Sequence, residues 1–206
     1  MRLRVATVVS GRGSNLAALL EALGREGDRA PAEIVLVASD RADAGGLAVA
    51  RQHAVPTHVF NDSADSAEWR RVLEAAGADL VVLAGYVKKV PAEVVLSWRG
   101  RMLNIHPALL PRHGGAGMYG RRVHRAVLEA GDVRSGATVH LVTEEYDRGP
   151  VLGQASVPVL PDDSPDTLAA RVLAVEHRLL PAAVLAAARA GKPVPFALDE
   201  PDPLIP

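Results

Sequence analysis

Apolar runs alternate with segments of helical periodicity over the first hundred residues of the chain. The runs are largely continuous, which is typical of strands buried on both faces of a sheet. Strands are predicted at 3–9, 34–39, 56–60 and 80–84, the third being the weakest. Helices are predicted at 16–23, 46–53, 68–76 and 91–98, the last opened by Pro91. This alternation predicts an α/β fold with a mostly parallel, doubly wound sheet.

The pattern changes after this repeat, because the later strands are separated by a glycine-rich loop and a single helix. Further strands are predicted around Asn104, at 136–142 and at 151–159, and a helix at about 122–130. Pro158 places the last strand at a sheet edge, because proline cannot donate to a strand ladder. The glycine-rich loop covers 114–120, and its composition is too flexible for its conformation to be predicted.

A long helix begins near the C-terminal end of the chain. Ser164 is its predicted N-cap, and Pro165 lies in its first turn. We expect this helix to reach Leu180 and to kink or break at Pro181, because proline removes a helical hydrogen bond. The proline-rich residues 193–206 are predicted to form a surface tail.

Composition narrows the class of protein. The chain has 206 residues, 49% hydrophobic and 23% charged, which is a globular balance, and we predict one domain over 1–206. A formal net charge of −1 argues against a nucleic-acid-binding face. The absence of cysteine excludes disulfides, thiolate metal sites and a cysteine nucleophile. With no signal-peptide pattern and no apolar run of about 18 residues, we expect a cytoplasmic protein without a membrane partner.

Two polar side chains interrupt the apolar strand around Asn104. Asn104 and His106 stand two residues apart, so both point to the same side of an extended strand. Buried polar groups are costly unless they are hydrogen-bonded or used, and a satisfied pair at a strand end is the alternative interpretation. Thr138 and His140 repeat the pattern on a later strand that leads to Asp147, and we interpret them as supports of a site.

The turn after the first strand predicts an anion site. Gly11 and Gly13 match the start of a dinucleotide-binding fingerprint, but its third glycine would fall at Leu16. A helix that begins at Ser14 and Asn15 presents free N–H groups on which a small phosphate can sit. A helix cap that binds nothing is the alternative. The turn, residues 85–89 and residues 104–107 all follow strands, where parallel sheets bind ligands.

Five segments in this order resemble the phosphoribosylglycinamide formyltransferase family, folate-dependent enzymes of purine biosynthesis. They are Ser-Gly-Arg-Gly-Ser-Asn-Leu at 10–16, Leu-Ala-Gly-Tyr at 83–86, Leu-Asn-Ile-His-Pro-Ala-Leu-Leu-Pro at 103–111, Gly-Ala-Thr-Val-His at 136–140 and Asp-Arg-Gly-Pro at 147–150. The resemblance extends from residue 3 to about 193. It implies a Rossmann-like formyltransferase fold whose C-terminal part is antiparallel. The Asn-Ile-His-Pro stretch is shared with other formyltetrahydrofolate enzymes, whereas the first segment is more selective.

The resemblance also implies site residues. The residues matching the family's catalytic groups are Asn104, His106 and Asp147. Those matching the phosphoribosylglycinamide site are Gly13, Ser14, Asn15, Leu173, Ala174, Val175 and Glu176. Those matching the folate site are Val87, Lys88, Lys89, Val90, Asn104, Thr143, Glu144, Glu145, Tyr146 and Asp147. The chain departs from the common family pattern at Val87-Lys88-Lys89 and in the 114–120 loop, which concerns contacts to the folate tail.

The implied reaction transfers a formyl group from 10-formyltetrahydrofolate to the amine of 5-phosphoribosylglycinamide in de novo purine (IMP) biosynthesis. Asn104 and a protonated His106 would donate to the developing oxyanion, and His106 would also move the proton. We expect Asp147 to raise the pKa of His106. The partners implied are small molecules, with no metal and with a monomer or a homodimer as the assembly.

Three other functions remain open at this point. A formyltetrahydrofolate hydrolase would use the same three residues with water as acceptor, but such enzymes usually carry an N-terminal regulatory domain that we expect to be absent. A methionyl-tRNA formyltransferase would need a further C-terminal domain and a basic surface. A non-catalytic dinucleotide-binding module would need the missing third glycine, although Asp40 is placed for a ribose.

Overall fold

One mixed sheet of seven strands forms the centre of the fold in the computed structural model, which describes residues 2–198. The strands are β1 (Leu3–Val9), β2 (Ala32–Ser39), β3 (Thr57–Val59), β4 (Leu80–Leu83), β5 (Met102–His106), β6 (Arg134–Leu141) and β7 (Val151–Pro158). The helices are α1 (Ser14–Glu26), α2 (Gly45–Gln52), α3 (Ser66–Ala75), α4 (Ala92–Ser97), α5 (Arg121–Glu129) and α6 (Pro165–Ala190), with a short 3₁₀ turn at Gly27–Arg29.

The strand order is β3-β2-β1-β4-β5-β6-β7. Neighbouring strands from β3 to β5 are parallel, whereas β6 is antiparallel to both β5 and β7. The predicted fold class, a mostly parallel Rossmann-like sheet with an antiparallel C-terminal part, is therefore confirmed. Each predicted strand and helix has a counterpart, and β7 lies at the edge, as Pro158 indicates.

Helices cover both faces of the sheet, which explains the continuous apolar strands. The last five residues of β1 and all of β4 are buried. Leu16, Leu168 and Leu180 pack on one face, and Trp69 and Val94 pack on the other. Fully burying one such side chain stabilises the fold by about 1.5–3 kcal/mol. Burial on two faces therefore makes the central strands the rigid support for the loops at their carboxyl ends.

The predicted break at Pro181 is wrong, because α6 continues through it to Ala190. Pro181 is buried between Leu180 and Val184, which belong to the core. Packing of this apolar face outweighs the single hydrogen bond that proline cannot make. Although α6 has 26 residues, neither it nor another helix between residues 2 and 198 combines the length and apolar character needed to cross a membrane.

The described part of the predicted tail lies against the edge strand. Phe196 donates its backbone N–H to the carbonyl of Leu152 at 2.9 Å. Its ring covers Gly153, where an added Cβ would lie 2.6 Å from the ring. Residues 193–198 thus occupy part of the open edge of β7 that would otherwise be free to pair with another chain. The remainder of the predicted tail, 199–206, lies outside the described residues.

A capping box at the start of α6 generates a stability prediction. The Ser164 hydroxyl accepts from the Thr167 N–H, and the Thr167 hydroxyl accepts from the Ser164 N–H. Ser164→Ala is expected to lower the free energy of unfolding by about 1 kcal/mol, because the N–H of the first turn loses its acceptor. Ser164→Asp keeps an acceptor and serves as the control. Chemical denaturation measures both, and equal stability of the two variants would contradict the prediction.

Candidate active site

The carboxyl ends of the central strands open into a cavity of about 900 Å³. Its walls include the segments after β1 and β4 and the end of β5. β1 pairs with β2 on one side and with β4 on the other, so the order of the strands reverses at this position. Such a reversal separates the loops and leaves a crevice, which is where doubly wound sheets bind ligands. A cavity of this volume accommodates a ligand of the size of a cofactor.

Four polar side chains converge at the centre of the cavity: Asn104 and His106 on β5, His140 on β6, and Asp147 in the loop after β6. The antiparallel register places Asn104 directly opposite His140, and their Nδ2 and Nε2 atoms lie 3.0 Å apart. Asp147 Oδ2 is 3.5 Å from His106 Nδ1, and Asp147 Oδ1 is 3.4 Å from His140 Nε2. The fold thus brings together the three residues predicted to be catalytic.

The hydrogen bond of His106 decides which of its two ring nitrogens is free to accept a proton. Its Nε2 lies 2.9 Å from the carbonyl oxygen of His113. A carbonyl can only accept, so Nε2 carries a hydrogen. In the neutral imidazole, Nδ1 is therefore the basic nitrogen, and it is the one that faces Asp147. His106 is 3% exposed, so this orientation is held by its buried surroundings.

Asp147 raises the pKa of His106, as expected, but the net shift of that pKa is downward, which disfavours the protonated His106 that was predicted. Burial lowers the pKa of His106 and is the largest effect, because the charged imidazolium is poorly solvated here. The Asp147 charge and the His113 carbonyl raise that pKa by less, and the nearby His140 and His113 rings lower it. The resting form favoured by the site is consequently the neutral imidazole.

Asp147 is held as a carboxylate between two histidines. It has a left-handed backbone with φ of 55°, and its Oδ2 accepts the backbone N–H of Gly115 at 2.8 Å. Burial alone would raise the pKa of Asp147, but the neighbouring His140 and His106 rings and the Gly115 N–H together lower it. The site therefore pairs an ionised acid with a neutral base.

His140 orients the amide of Asn104. His140 Nδ1 lies 2.9 Å from the carbonyl of Leu141, so in the neutral ring Nδ1 donates and Nε2 accepts from Asn104. That bond uses one of the two N–H groups of Asn104 and leaves the other for a ligand. Thr138 has the supporting role that was predicted, since it is buried and donates to the carbonyl of Ala108. His140, in contrast, contacts two of the predicted catalytic side chains directly.

The glycine-rich turn before α1 is shaped by packing as well as by any ligand. Gly13 has a φ of 83°, and a Cβ added to it would lie 2.4 Å from the Cα of Gly46. Gly13 also has no side chain to cap α1, so the N–H groups at Ser14 and Asn15 are open to an anion. Gly11, in contrast, is exposed, lines the cavity and has open space around its Cα. The only substitution of the two that leaves the fold unstrained is therefore at Gly11.

α6 contributes a buried acid to the same end of the cavity. Asn15 donates from Nδ2 to Glu176 Oε2 at 2.6 Å. Burial raises the pKa of Glu176, and the bond from Asn15 offsets part of that shift. Glu176 and Leu173 line the cavity. Ala174 is exposed and Val175 packs against the core, so neither is among the lining residues, and their assignment stays a prediction.

The segment predicted to bind folate is anchored through Ser10. Its hydroxyl donates to Asp40 Oδ1 at 2.7 Å and accepts the N–H of Val87 at 3.2 Å. Lys88 lies 3.4 Å from the other oxygen of Asp40. The Asp40 side chain is 2% exposed, and these contacts use it to position residues 87–90. It is not free to bind a ribose, which disfavours the dinucleotide-binding alternative.

The predicted folate residues form one wall of the cavity. The lining residues among them, besides Asn104 and Asp147, are Val87, Lys88, Lys89, Val90, Thr143, Glu144, Glu145 and Tyr146. Val87 and Tyr146 are 44% and 38% exposed, so this wall offers apolar surface to a ligand. Lys89 Nζ lies 5.8 Å from the centre of the Tyr146 ring. This contact connects residues 87–90 with residues 143–147 across the wall.

Sequence reasoning missed His124 and the lining role of the glycine-rich loop. His124 lies on α5, is 4% exposed and faces the cavity. Its Nδ1 has no hydrogen-bond partner among the described residues. The available signal was its place beside Val123 and three residues before Val127, on the buried side of an otherwise polar helix. The loop lines the cavity from Gly115 to Gly120, and no periodicity could have indicated this.

Within residues 2–198, no cluster of three or more His, Asp or Glu side chains is arranged to hold a metal ion. The polar groups at the centre of the cavity contact one another and the backbone instead. A reaction without a metal stays a prediction, to be tested by activity after dialysis against a chelator.

The comparisons with known proteins agree with this geometry. The profile of the formyl transferase family matches residues 3–184. The chain is 40% identical over 185 residues to phosphoribosylglycinamide formyltransferase of Escherichia coli (strain K12), which covers 87% of this chain and 84% of that protein. It is 44% identical over 185 residues to the chloroplastic phosphoribosylglycinamide formyltransferase of Arabidopsis thaliana, over 86% of this chain. The chain spans 63% of the length of that plant protein.

A solved structure extends the similarity to the fold. The phosphoribosylglycinamide formyltransferase of Anaplasma phagocytophilum matches with a TM-score of 0.85 and 37% identity, over 92% of this chain and 88% of that one. The family profile, the relatives and the fold therefore all indicate the same family. The chain belongs to the formyl transferase family, among the phosphoribosylglycinamide formyltransferases.

Proposed function

We propose that the chain transfers a formyl group from 10-formyltetrahydrofolate to the amine of 5-phosphoribosylglycinamide, a step of de novo purine biosynthesis. The observation that carries the proposal is the convergence of Asn104, His106 and Asp147 on one cavity. The names of the relatives support the same substrates. The interactions assigned to individual residues below are part of the proposal.

The acceptor occupies the end of the cavity near α1 and α6. Its phosphate sits on the open N–H groups at Ser14 and Asn15, where the helix dipole favours an anion. Glu176 lies at the same end and accepts hydrogen bonds from the hydroxyls of the sugar. This placement directs the amine of the acceptor toward the centre of the cavity.

The donor occupies the opposite wall. The exposed apolar surfaces of Val87 and Tyr146 suit a flat aromatic ring such as the pterin of folate. Both segments line the same cavity as Asp147, which directly follows Tyr146 in the chain. The residues of this wall therefore fit a folate as formyl donor, with its reactive nitrogen next to Asn104 and His106.

The chemistry follows from the hydrogen-bonding state of the site. Nδ1 of neutral His106 accepts the proton of the amine as the new C–N bond forms. The free N–H of Asn104 donates to the formyl oxygen as that oxygen gains negative charge. The Asp147 carboxylate stabilises the imidazolium that results. His106 then returns the proton to the folate nitrogen as its bond to the formyl carbon breaks.

Three further assignments stay proposals. We expect a single domain over 1–206, a cytoplasmic protein, and a monomer or a homodimer that binds small molecules. A formyltetrahydrofolate hydrolase is the second candidate, because the same three side chains could activate water. The two activities differ in whether formate appears in the absence of the amine.

The catalytic assignment predicts large losses of turnover. His106→Ala and Asp147→Asn are each expected to lower kcat at least about a hundredfold, because each removes part of the proton transfer. Steady-state kinetics with purified, folded protein measures the effect. Asp162→Asn, at an exposed position, is the control and is expected to keep normal activity. Wild-type turnover in folded Asp147→Asn would show that the pairing is not used.

The burial of His106 predicts a lowered pKa that can be measured directly. In the folded protein, the pKa of His106 is expected to lie below the ordinary histidine value of about 6.5. Asp147→Asn is expected to lower it further, because the carboxylate is the main group that raises it. NMR titration measures both, with the urea-unfolded protein as the reference. A value above 6.5, or an upward shift in Asp147→Asn, would contradict the assignment.

The phosphate assignment is best tested at Gly11. Gly11→Glu places a negative charge next to the proposed phosphate, whereas Gly11→Gln has the same shape without the charge. The Glu variant is expected to raise the KM for phosphoribosylglycinamide about tenfold relative to the Gln variant, since one repulsion of about 1.4 kcal/mol has that effect.

Calorimetry with a folate analogue supplies the control for the Gly11 pair, because donor affinity is expected to be the same in both variants. Equal acceptor KM values in the two would place the phosphate elsewhere. Rapid release of formate without the amine, in the wild type, would favour the hydrolase.

A further inference from the structure

The catalytic tautomer of His106 depends on one carbonyl group. His106 Nε2 has the backbone oxygen of His113 as its hydrogen-bond partner in the described part of the chain, at 2.9 Å. If that oxygen turned away, Nε2 would lose its acceptor and the ring could carry its hydrogen on Nδ1 instead. Nδ1 would then no longer be free to accept a proton from a substrate. The position of the His113 carbonyl is thus a requirement of the chemistry.

The backbone at His113 is strained. Its φ is 54°, in the left-handed region that residues with a side chain rarely adopt. Such a conformation persists only where surrounding contacts hold it, and it is frequent next to functional sites. Of the glycine-rich residues that follow, Gly115 is held by the bond from its N–H to Asp147 Oδ2. A further contact, at His113 itself, holds the strained residue and its carbonyl in place.

The His113 ring provides that contact. Its Nε2 lies 2.6 Å from Asp132 Oδ2, and Arg112 Nη2 lies 2.6 Å from Asp132 Oδ1. The side chains of His113 and Asp132 are only 14% and 12% exposed, so the pair is shielded from water. Asp132 is itself tied to α5, since its N–H bonds the carbonyl of Val127 at 3.3 Å. The ring is consequently fixed to a rigid element.

The ring and the carbonyl of His113 lie in different surroundings. The His113 side chain, Arg112 and Asp132 line a small second cavity of about 230 Å³. None of the three lines the large cavity in which Asn104 and Asp147 lie. His113 therefore reaches the reaction only through its carbonyl and His106. It does not touch the substrates.

We infer that His113 and Asp132, with Arg112, form a positioning device that holds His106 in the tautomer whose Nδ1 is basic. The bond between ring and carboxylate compensates for the strained backbone, and the backbone aims its carbonyl at His106 Nε2. This inference rests on the proposed function for what His106 does with its Nδ1. The tautomer itself is a property of the ligand-free protein and is independent of that function.

Four variants separate the ring from the backbone. His113→Ala removes the ring and leaves a residue that disfavours a φ of 54°, whereas His113→Gly removes the ring but tolerates that φ. Asp132→Ala removes the acceptor of the ring, whereas Asp132→Asn keeps an oxygen acceptor. His53→Ala, at an exposed histidine, is the control. Because each residue is tested with two variants, the test remains decisive if one of them does not fold.

The first measurement is the ¹⁵N NMR spectrum of His106 in ligand-free protein, assigned with His106→Gln. The wild type and His53→Ala are expected to show the Nε2–H tautomer. His113→Ala and Asp132→Ala are expected to show a mixture of tautomers, with His113→Gly and Asp132→Asn closer to the wild type. A purely structural role would lower the melting temperature and leave the tautomer unchanged. An unchanged tautomer in both Ala variants would overturn the inference.

The second measurement is the division of the effect between kcat and KM. His113→Ala and Asp132→Ala are expected to lower kcat about tenfold, a part of the general acid–base contribution, with both KM values unchanged. His113→Gly is expected to recover part of the loss. A loss confined to KM, or equal activity of the Ala and Gly variants, would contradict positioning through the backbone. If the chain lacks formyltransferase activity, only the kinetic measurement is lost, because the NMR measurement needs no substrate.

Discussion

The change from parallel to antiparallel pairing at β5 is the constraint on which the site depends. A strand that is antiparallel to β5 begins at the edge where β5 ends and runs back along it. Because β6 is antiparallel, it places His140 opposite Asn104, and its end leads to the loop with Asp147. Two strands far apart in the chain thus supply one cluster of polar groups. The parallel half of the sheet supplies the cavity into which that cluster opens.

Burial determines the charge state of this cluster. Asp147 keeps its charge because His140, His106 and the Gly115 N–H favour the carboxylate over the neutral acid. His106 is left neutral because the loss of solvation exceeds the attraction to Asp147. In the proposed reaction, His106 becomes charged only when it takes a proton from the substrate. Its ion pair with Asp147 would then form during the reaction, where its stabilisation would lower the barrier.

Backbone contacts, more than side-chain identity, hold the parts of the site in place. The tautomers of His106 and His140 are set by carbonyl groups, those of His113 and Leu141. Asp147 is held in a left-handed conformation by an N–H of the glycine-rich loop. Gly13 is needed where the glycine-rich turn before α1 approaches α2. The site is consequently an extension of the fold, and strain at a few residues is offset by packing elsewhere.

The sequence by itself determined the fold class, because continuous apolar strands alternating with amphipathic helices are compatible with few architectures. It also indicated Asn104, His106 and Asp147, since polar residues on an apolar strand and the motif around them stand out locally. It could not place His124 or show that His140 contacts Asp147, because those contacts join elements distant in the chain. The predicted break at Pro181 is wrong, and the predicted protonated form of His106 is disfavoured, for a related reason. Both depend on burial, and burial is decided by what the rest of the structure packs against a residue.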